Sequence, residues 1–398
     1  MAKEYSPFTP GFPVSVDGFV GRKAEVERLA GMARSAAHGK LQVAFLAAER
    51  GMGKSSLATF VRVLAERDYN LLTVHAFLGG VTSLEEMVRR IFDRLVKDSI
   101  DKSWAAEIKQ FFGDHVREVG LFGITVELQS SPQDLTHLVN DFAPALRRLL
   151  EKIGTKKTGV MIVLDDLNGL ADSPDFANWL KSLVDEIATS QAKYPVFLLA
   201  VGLEERRQEL LRNQPSLDRV FQVVDLRPWS DEETRDFFQR SFASVGVSVH
   251  GGALAALAAF TEGLPVIAHE LGDAVFNVDQ DKQIDTSDVL DGMDIAADVI
   301  GRKQLEPVMF SAVRSDRYRK ILRAIAESQT KRYFKRAEVL SQLSSEDAKV
   351  FDNFLQRMKQ VGVLVQDQDS PPGSYRFATY LYGVYFNLEA ERAKREHS

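Results

Sequence analysis

The sequence predicts an α/β fold with a parallel sheet, followed by a helical region and a C-terminal region that contains two short strands. Two observations support the sheet and one supports the C-terminal region. The chain contains five short apolar runs. The earlier runs alternate with segments of helical periodicity. This order predicts parallel strands in a core, with crossover helices on the faces of the sheet. Near the C-terminus, helices precede two strands joined by a turn, which is the outline of a winged helix.

The composition is that of a folded protein with two or three cores of ordinary domain size. The chain has 398 residues, 45% of them hydrophobic and 27% charged, and a formal charge of −6. The absence of cysteine excludes disulfides, thiolate nucleophiles and cysteine-ligated metals, and it fits a reducing compartment. We find no apolar stretch of about 18 residues. We therefore expect a cytoplasmic protein with no membrane partner.

The elements follow from local signals along the chain. Residues 1–18 contain three prolines and two glycines, which predict an extended arm. Ser83 and Glu86 predict a capping box at the start of a helix, as do Ser230 and Glu233. Residues 99–133 contain an alternation compatible with a projecting hairpin, to which we assign no role. The predicted strands of the main sheet are residues 41–47, 70–78, 159–166, 196–202 and 220–226.

From residue 230 to about residue 300 we predict helices. Residues 315–328 and 336–361 are also predicted as helices, and a last helix ends in a charged tail. Between these, residues 363–368 and 374–379 are predicted as two strands separated by a turn that contains two prolines and a glycine.

The sequence AERGMGKSS at 48–56 predicts a phosphate site, because it lies between an apolar strand and an amphipathic helix. Backbone N–H groups of such a loop and of the helix N-terminus form a concave anion site, and glycine allows the main chain to approach phosphate. Ala48 stands where the G-x-x-x-x-G-K-[ST] pattern has its first glycine. We predict that Lys54 contacts the β- and γ-phosphates and that the Ser55 hydroxyl binds Mg²⁺. The predicted nucleotide-binding residues of this stretch are Arg50, Gly51, Met52, Gly53, Lys54, Ser55 and Ser56.

Two consecutive carboxylates follow the apolar strand VMIVL. A phosphoryl-transfer site needs an acidic group at the end of a strand near the phosphate loop, to hold Mg²⁺ and to orient the attacking water. We predict that Asp165 binds the metal and that Asp166 orients or activates water, because consecutive strand residues point to opposite sides.

With these motifs the sequence resembles the P-loop ATPases of the AAA+ and STAND classes, particularly the group that joins archaeal and bacterial STAND-type ATPases to origin-recognition replication initiators. The resemblance implies an AAA+-type parallel-sheet domain, a helical lid and a C-terminal winged helix. It also implies ATP or ADP with Mg²⁺ as ligands. FVGR at 19–22 resembles the motif ahead of the first helix in this group, which implies that Val20, Gly21 and Arg22 lie at the adenine. The implied division is residues 1–18, an arm; 19–240, the ATPase core; 241–304, the lid; and 305–398, the winged-helix domain.

Two further motifs carry roles implied by the resemblance. SLDRVF at 216–221 is similar to the segment that bears the arginine finger of oligomeric members, which implies Arg219 as a catalytic residue acting on a neighbouring subunit; a surface arginine or an ion pair with Asp218 is the alternative. EGLPVIAHEL at 262–271 is similar to the Gly-x-Pro motif of STAND lids, which implies that Pro265 packs against the base. Gly202 occupies the region where the family often has a polar γ-phosphate sensor, so we expect slow or partner-dependent hydrolysis.

Positive charge is concentrated in residues 302–336, named here the basic segment. It has eleven lysines and arginines against three acidic residues, a net +8, which leaves −14 for the rest of the chain. Such a patch suits duplex DNA, because Lys and Arg release condensed counterions on meeting phosphates. The helix predicted after it is nearly neutral and gives no sign of base reading, so an acidic partner or the protein's own ATPase core are alternatives. The candidate DNA-binding residues are Arg317, Arg319, Lys320, Arg323, Lys331, Arg332, Lys335 and Arg336.

Two functions are consistent with the sequence. The first is an ATP-hydrolysing conformational switch that associates with DNA through its basic segment. The alternative is a STAND-type signalling or defence scaffold that assembles with a protein partner, without a direct role on DNA. Either function predicts ATP-dependent self-association or a protein partner. A nucleotide-dependent kinase ranks third among the candidate functions, because no pocket for an acceptor substrate is recognisable in the sequence.

Overall fold

The structure is a computed structural model that describes residues 5–98, 116–118, 126–128, 132–154, 156–312, 316–328, 333–366 and 373–396. The chain forms two compact units. One runs from Pro13 to Arg227 and is named here the sheet unit; the other combines the residues up to Phe12 with those from Pro228 onward and is named the helical unit. Among the helices of the described ranges, none is long and apolar enough to span a bilayer.

The sheet unit is built on five parallel strands in the order β2-β5-β6-β1-β7. The strands are β1 (Gln42–Ala47), β2 (Leu71–Phe77), β5 (Gly159–Asp165), β6 (Val196–Gly202) and β7 (Gln222–Asp225). β5 and β6 are buried along their whole length, as expected of apolar strands covered on both faces. Because the strands are parallel, Ala47 and Asp165 end their strands at the same edge of the sheet. The predicted α/β class with a five-stranded parallel sheet is confirmed.

Helices cover this sheet, and local signals set several of their ends. Ser83 Oγ accepts from the N–H of Glu86 at 3.3 Å, but the Glu86 carboxylate is bound by Arg89 and Arg90, so only half of the predicted capping box forms. The helices of this unit are α1 (Lys23–Ala37), α2 (Lys54–Tyr69), α3 (Leu84–Asp98), α4 (Pro132–Asn140), α5 (Phe142–Ile153), α6 (Pro174–Thr189) and α7 (Glu204–Asn213).

The hairpin proposed within residues 99–133 is described only in part. β3 (Val116–Glu118) and β4 (Val126–Leu128) form an antiparallel pair, in agreement with that interpretation. The remaining residues from 99 to 131 lie outside the described ranges.

The helical unit begins with a bundle that includes part of the N-terminal arm. Phe8 packs edge-on against Phe237 and Phe242, and a Cβ on Gly272 would lie 2.4 Å from the Phe8 ring. The N–H of Thr9 donates to Nδ1 of His269 at 3.1 Å, and burial lowers the pKa of His269 to about 4, so this imidazole is neutral. Both halves of the capping box at Ser230 form. The helices here are α8 (Asp231–Ser244), α9 (Gly251–Thr261), α10 (Pro265–Val278) and α11 (Thr286–Ile300), with the short parallel pair β8 (Ser248–Val249) and β9 (Gln283–Ile284).

The C-terminal part of this unit combines helices with a three-stranded antiparallel sheet of order β10-β12-β11. The predicted ribbon strands are present, and β10 is a third strand that the sequence analysis missed. The elements are α12 (Glu306–Ala312), α13 (Asp316–Ser328), β10 (Phe334–Lys335), α14 (Arg336–Leu340), α15 (Ser345–Ala348), α16 (Phe351–Gln360), β11 (Leu364–Gln366), β12 (Ser374–Phe377) and α17 (Tyr380–Glu396).

The prediction of one helix over residues 336–361 is wrong. Three short helices, α14, α15 and α16, occupy this range. Ser341 ends the first of them, and Ser344 begins the second by accepting from the N–H of Asp347 at 3.2 Å. Serine competes for backbone hydrogen bonds and therefore favours helix ends over interiors. The apolar spacing of Phe351, Phe354 and Met358 belongs to α16 alone, where these side chains are buried.

Candidate functional site

The phosphate loop, residues 48–53, joins β1 to α2. Gly51 and Gly53 have φ values of +78° and +84°, in the left-handed region that glycine adopts without steric cost. Ala48 is not among the residues with positive φ, so alanine fits at this position without strain. Gly53 caps α2, and Ser55 lies in the first turn, where the N–H groups of a helix are free to bind an anion.

Lys54 lies across the phosphate loop. Its Nζ donates to the carbonyl oxygens of Ala48 at 2.9 Å and Glu49 at 2.7 Å. Burial lowers the pKa of Lys54, whereas the negative charges of Asp165, Glu49 and Asp166 act in the opposite direction. Within the described residues Lys54 forms no ion pair. Its ammonium group is thus partly buried and close to both predicted carboxylates, and in the described structure its hydrogen bonds go to neutral oxygen atoms that a phosphate could replace.

Asp165 ends β5 with its side chain buried at 3% exposure. Its Oδ2 lies 3.0 Å from Nε2 of His75, a buried residue on the neighbouring strand β2. The His75 ring stacks on Phe77, with centroids 4.3 Å apart. His75 therefore fixes one oxygen of the carboxylate predicted to bind Mg²⁺. The sequence analysis missed His75, although a lone ionisable residue inside an apolar strand was a usable signal.

Asp166 has left-handed backbone geometry, with φ at +65°. Aspartate adopts this region more readily than most non-glycine residues. The backbone N–H of Asp166 donates to Val201 O at 3.1 Å. In this turn the Asp166 side chain lies beside Gly79 and Asn168.

Comparisons with known proteins extend this picture. A family model described as an AAA ATPase domain matches residues 18–199, a stretch that contains the phosphate loop, His75 and both aspartates. Residues 18–199 thus match an AAA ATPase domain, and the five-stranded parallel sheet with its helices has the AAA+ P-loop fold.

Solved structures support the same fold. The ORC2 protein of Aeropyrum pernix, solved in ADPNP and ADP complexes, is similar with a TM-score of 0.59 and 12% identity, over 99% of this chain and 98% of that chain. A Walker-type ATPase of Pyrococcus abyssi is similar with a TM-score of 0.54 and 15% identity, over 92% of this chain and 96% of that chain. No curated protein sequence matches the chain at a significant level.

Arg22 stabilises the phosphate loop of the AAA+ domain. This arginine is buried at 4% exposure and has φ at +60°. Its guanidinium group donates to the carbonyl oxygen of Arg227, and at 3.2 Å to that of Met52 inside the loop. Val20 and Gly21, which precede it, are partly buried. The adenine contact implied for these three residues stays a prediction; what the structure adds is a clamp on the loop.

Ser56 and Arg50 occupy different environments. Ser56 is buried, and its Oγ accepts from the N–H of Val14 at 3.2 Å, so this hydroxyl is engaged with the segment ahead of the domain. Arg50 and Gly51 are exposed at the tip of the loop, whereas Met52 is buried beneath it. Ser55 is thus the hydroxyl of the AAA+ domain's loop that is left for a metal.

The predicted arginine finger, Arg219, and the predicted position of the γ-phosphate sensor, Gly202, both belong to the sheet unit. Arg219 is exposed at the end of the 3-10 helix Pro215–Arg219, and no ion pair with Asp218 occurs in the described structure. Gly202 ends β6 with the Phe45 ring 3.2 Å from the position of a Cβ. A larger side chain at Gly202 would therefore displace Phe45, which gives a packing reason for the missing polar sensor.

Pro265 belongs to the helical unit, where it is buried in the first turn of α10. Gly263 before it has φ at +70°, and a Cβ there would lie 2.2 Å from the carbonyl oxygen of Trp229. Glu262 accepts from the N–H of Tyr380 at 3.0 Å, and its other oxygen lies 3.5 Å from Arg376. The turn that contains the Gly-x-Pro motif is thus attached directly to the C-terminal helix and sheet.

The basic segment is largely neutralised by carboxylates. Arg317 pairs with Glu346 at 2.9 Å, Arg319 and Arg323 share Glu389 at 3.5 and 3.6 Å, and Arg336 binds both oxygens of Asp352 at 2.7 Å each. These four ion pairs involve four of the six candidate DNA-binding residues that the structure describes. In the described part, Lys320 and Lys335 are exposed and form no ion pair. Lys331 and Arg332 lie outside the described residues.

Proposed function

We propose that this AAA+ protein is an ATP-hydrolysing conformational switch. The observation that carries the proposal is the placement of a partly buried Lys54 beside two carboxylates at one edge of the sheet, with no ion pair to neutralise it in the described structure. A γ-phosphate is the ligand whose charge such a lysine would accept, and Asp165 with Ser55 would hold Mg²⁺, which would neutralise further phosphate charge.

Each residue then has a defined task. Lys54 and the N–H groups of the phosphate loop bind the β- and γ-phosphates, replacing the contacts of Lys54 with Ala48 and Glu49. Ser55 and Asp165 would hold Mg²⁺, which would neutralise charge on the phosphates, and His75 keeps the Asp165 carboxylate in place. Asp166 orients the attacking water. An exposed arginine, Arg219, is available to a neighbouring subunit.

Slow or partner-stimulated hydrolysis follows from this arrangement. Gly202 offers no polar side chain to the γ-phosphate, and the exposed Arg219 would act on the site of a neighbouring copy. A conformational change at the Gly-x-Pro turn would act on the C-terminal region through Glu262, because this residue adjoins Gly263 and binds Arg376 and Tyr380. We therefore propose self-association or a protein partner as part of the cycle.

Association with duplex DNA through the basic segment is the finer part of the proposal. Only Lys320 and Lys335 remain unpaired among the described candidates, and two phosphate contacts would give a log–log salt slope of about −2. The ion pairs of Arg317, Arg319, Arg323 and Arg336 favour the second candidate function, a scaffold whose output is protein assembly, because they consume the charge that DNA would use.

One experiment separates these functions. Steady-state ATP turnover is measured for the wild type and for Lys54→Ala, with and without duplex DNA, at two salt concentrations, with Lys40→Ala as the surface-lysine control. We expect turnover that requires Lys54 and is unaffected by Lys40→Ala. Stimulation by DNA that disappears at high salt supports the DNA-associated switch. Lys54-dependent turnover that ignores DNA supports the scaffold, and turnover that survives Lys54→Ala contradicts the ATPase proposal.

A further inference from the structure

Asn168 lies beside the carboxylate to which we assign the attacking water. Its Nδ2 donates to Oδ1 of Asp166, two residues earlier in the turn after β5. The other atom of the amide, Oδ1 of Asn168, is buried and has no hydrogen-bond partner in the described part of the chain. The carboxamide thus satisfies Asp166 at the expense of its own carbonyl oxygen. A buried unpaired oxygen is rare in folded proteins and calls for a functional or structural reason.

The other oxygen of Asp166 faces a glycine. Oδ2 lies 2.9 Å from the position that a Cβ on Gly79 would occupy, in the loop that follows β2. The φ of Gly79 is not positive, so backbone conformation does not require glycine there. Because Gly79 has no side chain, there is space beside Oδ2 of Asp166.

The Asp166 carboxylate is thus held at Oδ1 by Asn168, and its Oδ2 lies beside Gly79, while its backbone is left-handed. A carboxylate that binds a water must keep one oxygen in a defined direction, because misplacement of a reacting group by about 1 Å can cost on the order of 100-fold in rate. Asn168 holds Oδ1, which leaves Oδ2, on the side of Gly79, to accept from the water.

Building on the proposed ATPase function, we propose that Asn168 is a positioning residue that sets the direction of the Asp166 carboxylate, and that Gly79 provides the space in which this carboxylate sits. Asn168 does not touch the nucleotide in this scheme. It acts on the hydrolysis step through Asp166, and nucleotide affinity is independent of it.

The test compares turnover with affinity. ATP hydrolysis is measured under single-turnover conditions with enzyme in excess, and nucleotide dissociation constants are measured with a fluorescent ATP analogue. Asn168→Ala is expected to lower the hydrolysis rate roughly 10- to 100-fold and to change nucleotide affinity by less than about twofold. Asn168→Ser, whose hydroxyl can donate, should recover part of the rate. Asn178→Ala, on the exposed side of α6, is the matched control.

Two further variants distinguish positioning from a general structural role. In the Asp166→Asn background, Asn168→Ala should have no additional effect, because its only route to the reaction is absent. Gly79→Ala should lower the rate by pushing Asp166 aside, whereas Gly31→Ala, where a Cβ meets nothing within 4 Å, should not.

The outcomes separate this inference from the function on which it rests. Lys54-dependent hydrolysis in which Asn168→Ala acts equally with and without Asp166, or weakens nucleotide binding as much as it slows hydrolysis, overturns the inference alone. An unchanged hydrolysis rate in Asn168→Ala also overturns it. Hydrolysis that survives Lys54→Ala contradicts both the proposed function and the role of Asn168.

Discussion

Lys54 in the phosphate loop donates to two backbone carbonyl oxygens, whereas the described arginines among the DNA-binding candidates are each bound to a carboxylate. In the first arrangement a partly buried positive charge has no carboxylate bound to it. In the second, the carboxylates leave little positive charge available to an anionic ligand. The comparison teaches that the position of a cation relative to carboxylates, more than the number of cations in a segment, indicates where an anionic ligand binds.

Asp165→Asn tests the phosphate site most severely. The variant keeps the shape of the side chain but removes the negative charge that would hold Mg²⁺, so we expect turnover to fall by about 100-fold or more and Mg²⁺ to lose its effect on nucleotide affinity. The measurement is turnover across a magnesium titration. Asp185→Asn, an exposed residue of α6, is the control. Wild-type turnover in Asp165→Asn would remove this residue from the site.

His75→Phe tests how much the same site depends on the hydrogen bond from the neighbouring strand. Phenylalanine can retain the stacking on Phe77 but cannot hydrogen-bond to Asp165, so we expect turnover to fall roughly tenfold and the Mg²⁺ requirement to rise. Turnover at increasing Mg²⁺ and the thermal midpoint are measured together. A variant that melts early at unchanged turnover would show that His75 serves packing alone.

Glu389→Gln removes a carboxylate that neutralises two arginines of the basic segment. It frees Arg319 and Arg323, so DNA binding should tighten several-fold and the log–log salt slope should become more negative by up to about 2. Fluorescence anisotropy of a labelled duplex at several salt concentrations provides the measurement, and Glu391→Gln provides the control. If neither the wild type nor Glu389→Gln binds the duplex, the DNA-associated switch is excluded and the scaffold remains.

The smallest effect is expected for the pair Arg317–Glu346. Both side chains are more than half exposed, so a double-mutant cycle with alanine should give a coupling free energy of at most about 1 kcal/mol. Chemical denaturation of the four proteins of the cycle measures this value. A larger coupling would show that the ion pairs of the basic segment shape the fold as well as neutralise charge.

The sequence predicted the elements whose signals are local and repeated. Apolar runs gave the five strands, the glycines gave the phosphate loop, and Ser230 with Glu233 gave a complete capping box. His75 and Asn168 were missed as functional candidates, because their importance depends on partners brought close by strand register and by the turn after β5.

The ion pairs of the basic segment were missed for a related reason. Glu389 lies about 70 residues from Arg319 in sequence, and a count of charges within residues 302–336 cannot include it. The division of residues 336–361 into three helices depended on serine caps, which compete weakly with helical periodicity and are easily overlooked in a sequence.

Phe8 and Thr9 pack against residues that are synthesised much later, so the N-terminal arm is among the last parts of the chain to reach its folded position. Thr9 binds His269, which is 260 residues later in the chain. At a synthesis rate of about 5–20 residues per second, the arm waits roughly 13–50 seconds for its binding site to leave the ribosome. During that interval the sheet unit can fold while the first residues stay exposed to chaperones and proteases. A bulky fusion at the N-terminus would therefore affect the packing of the helices that follow Pro228, although these helices are far from the N-terminus in sequence.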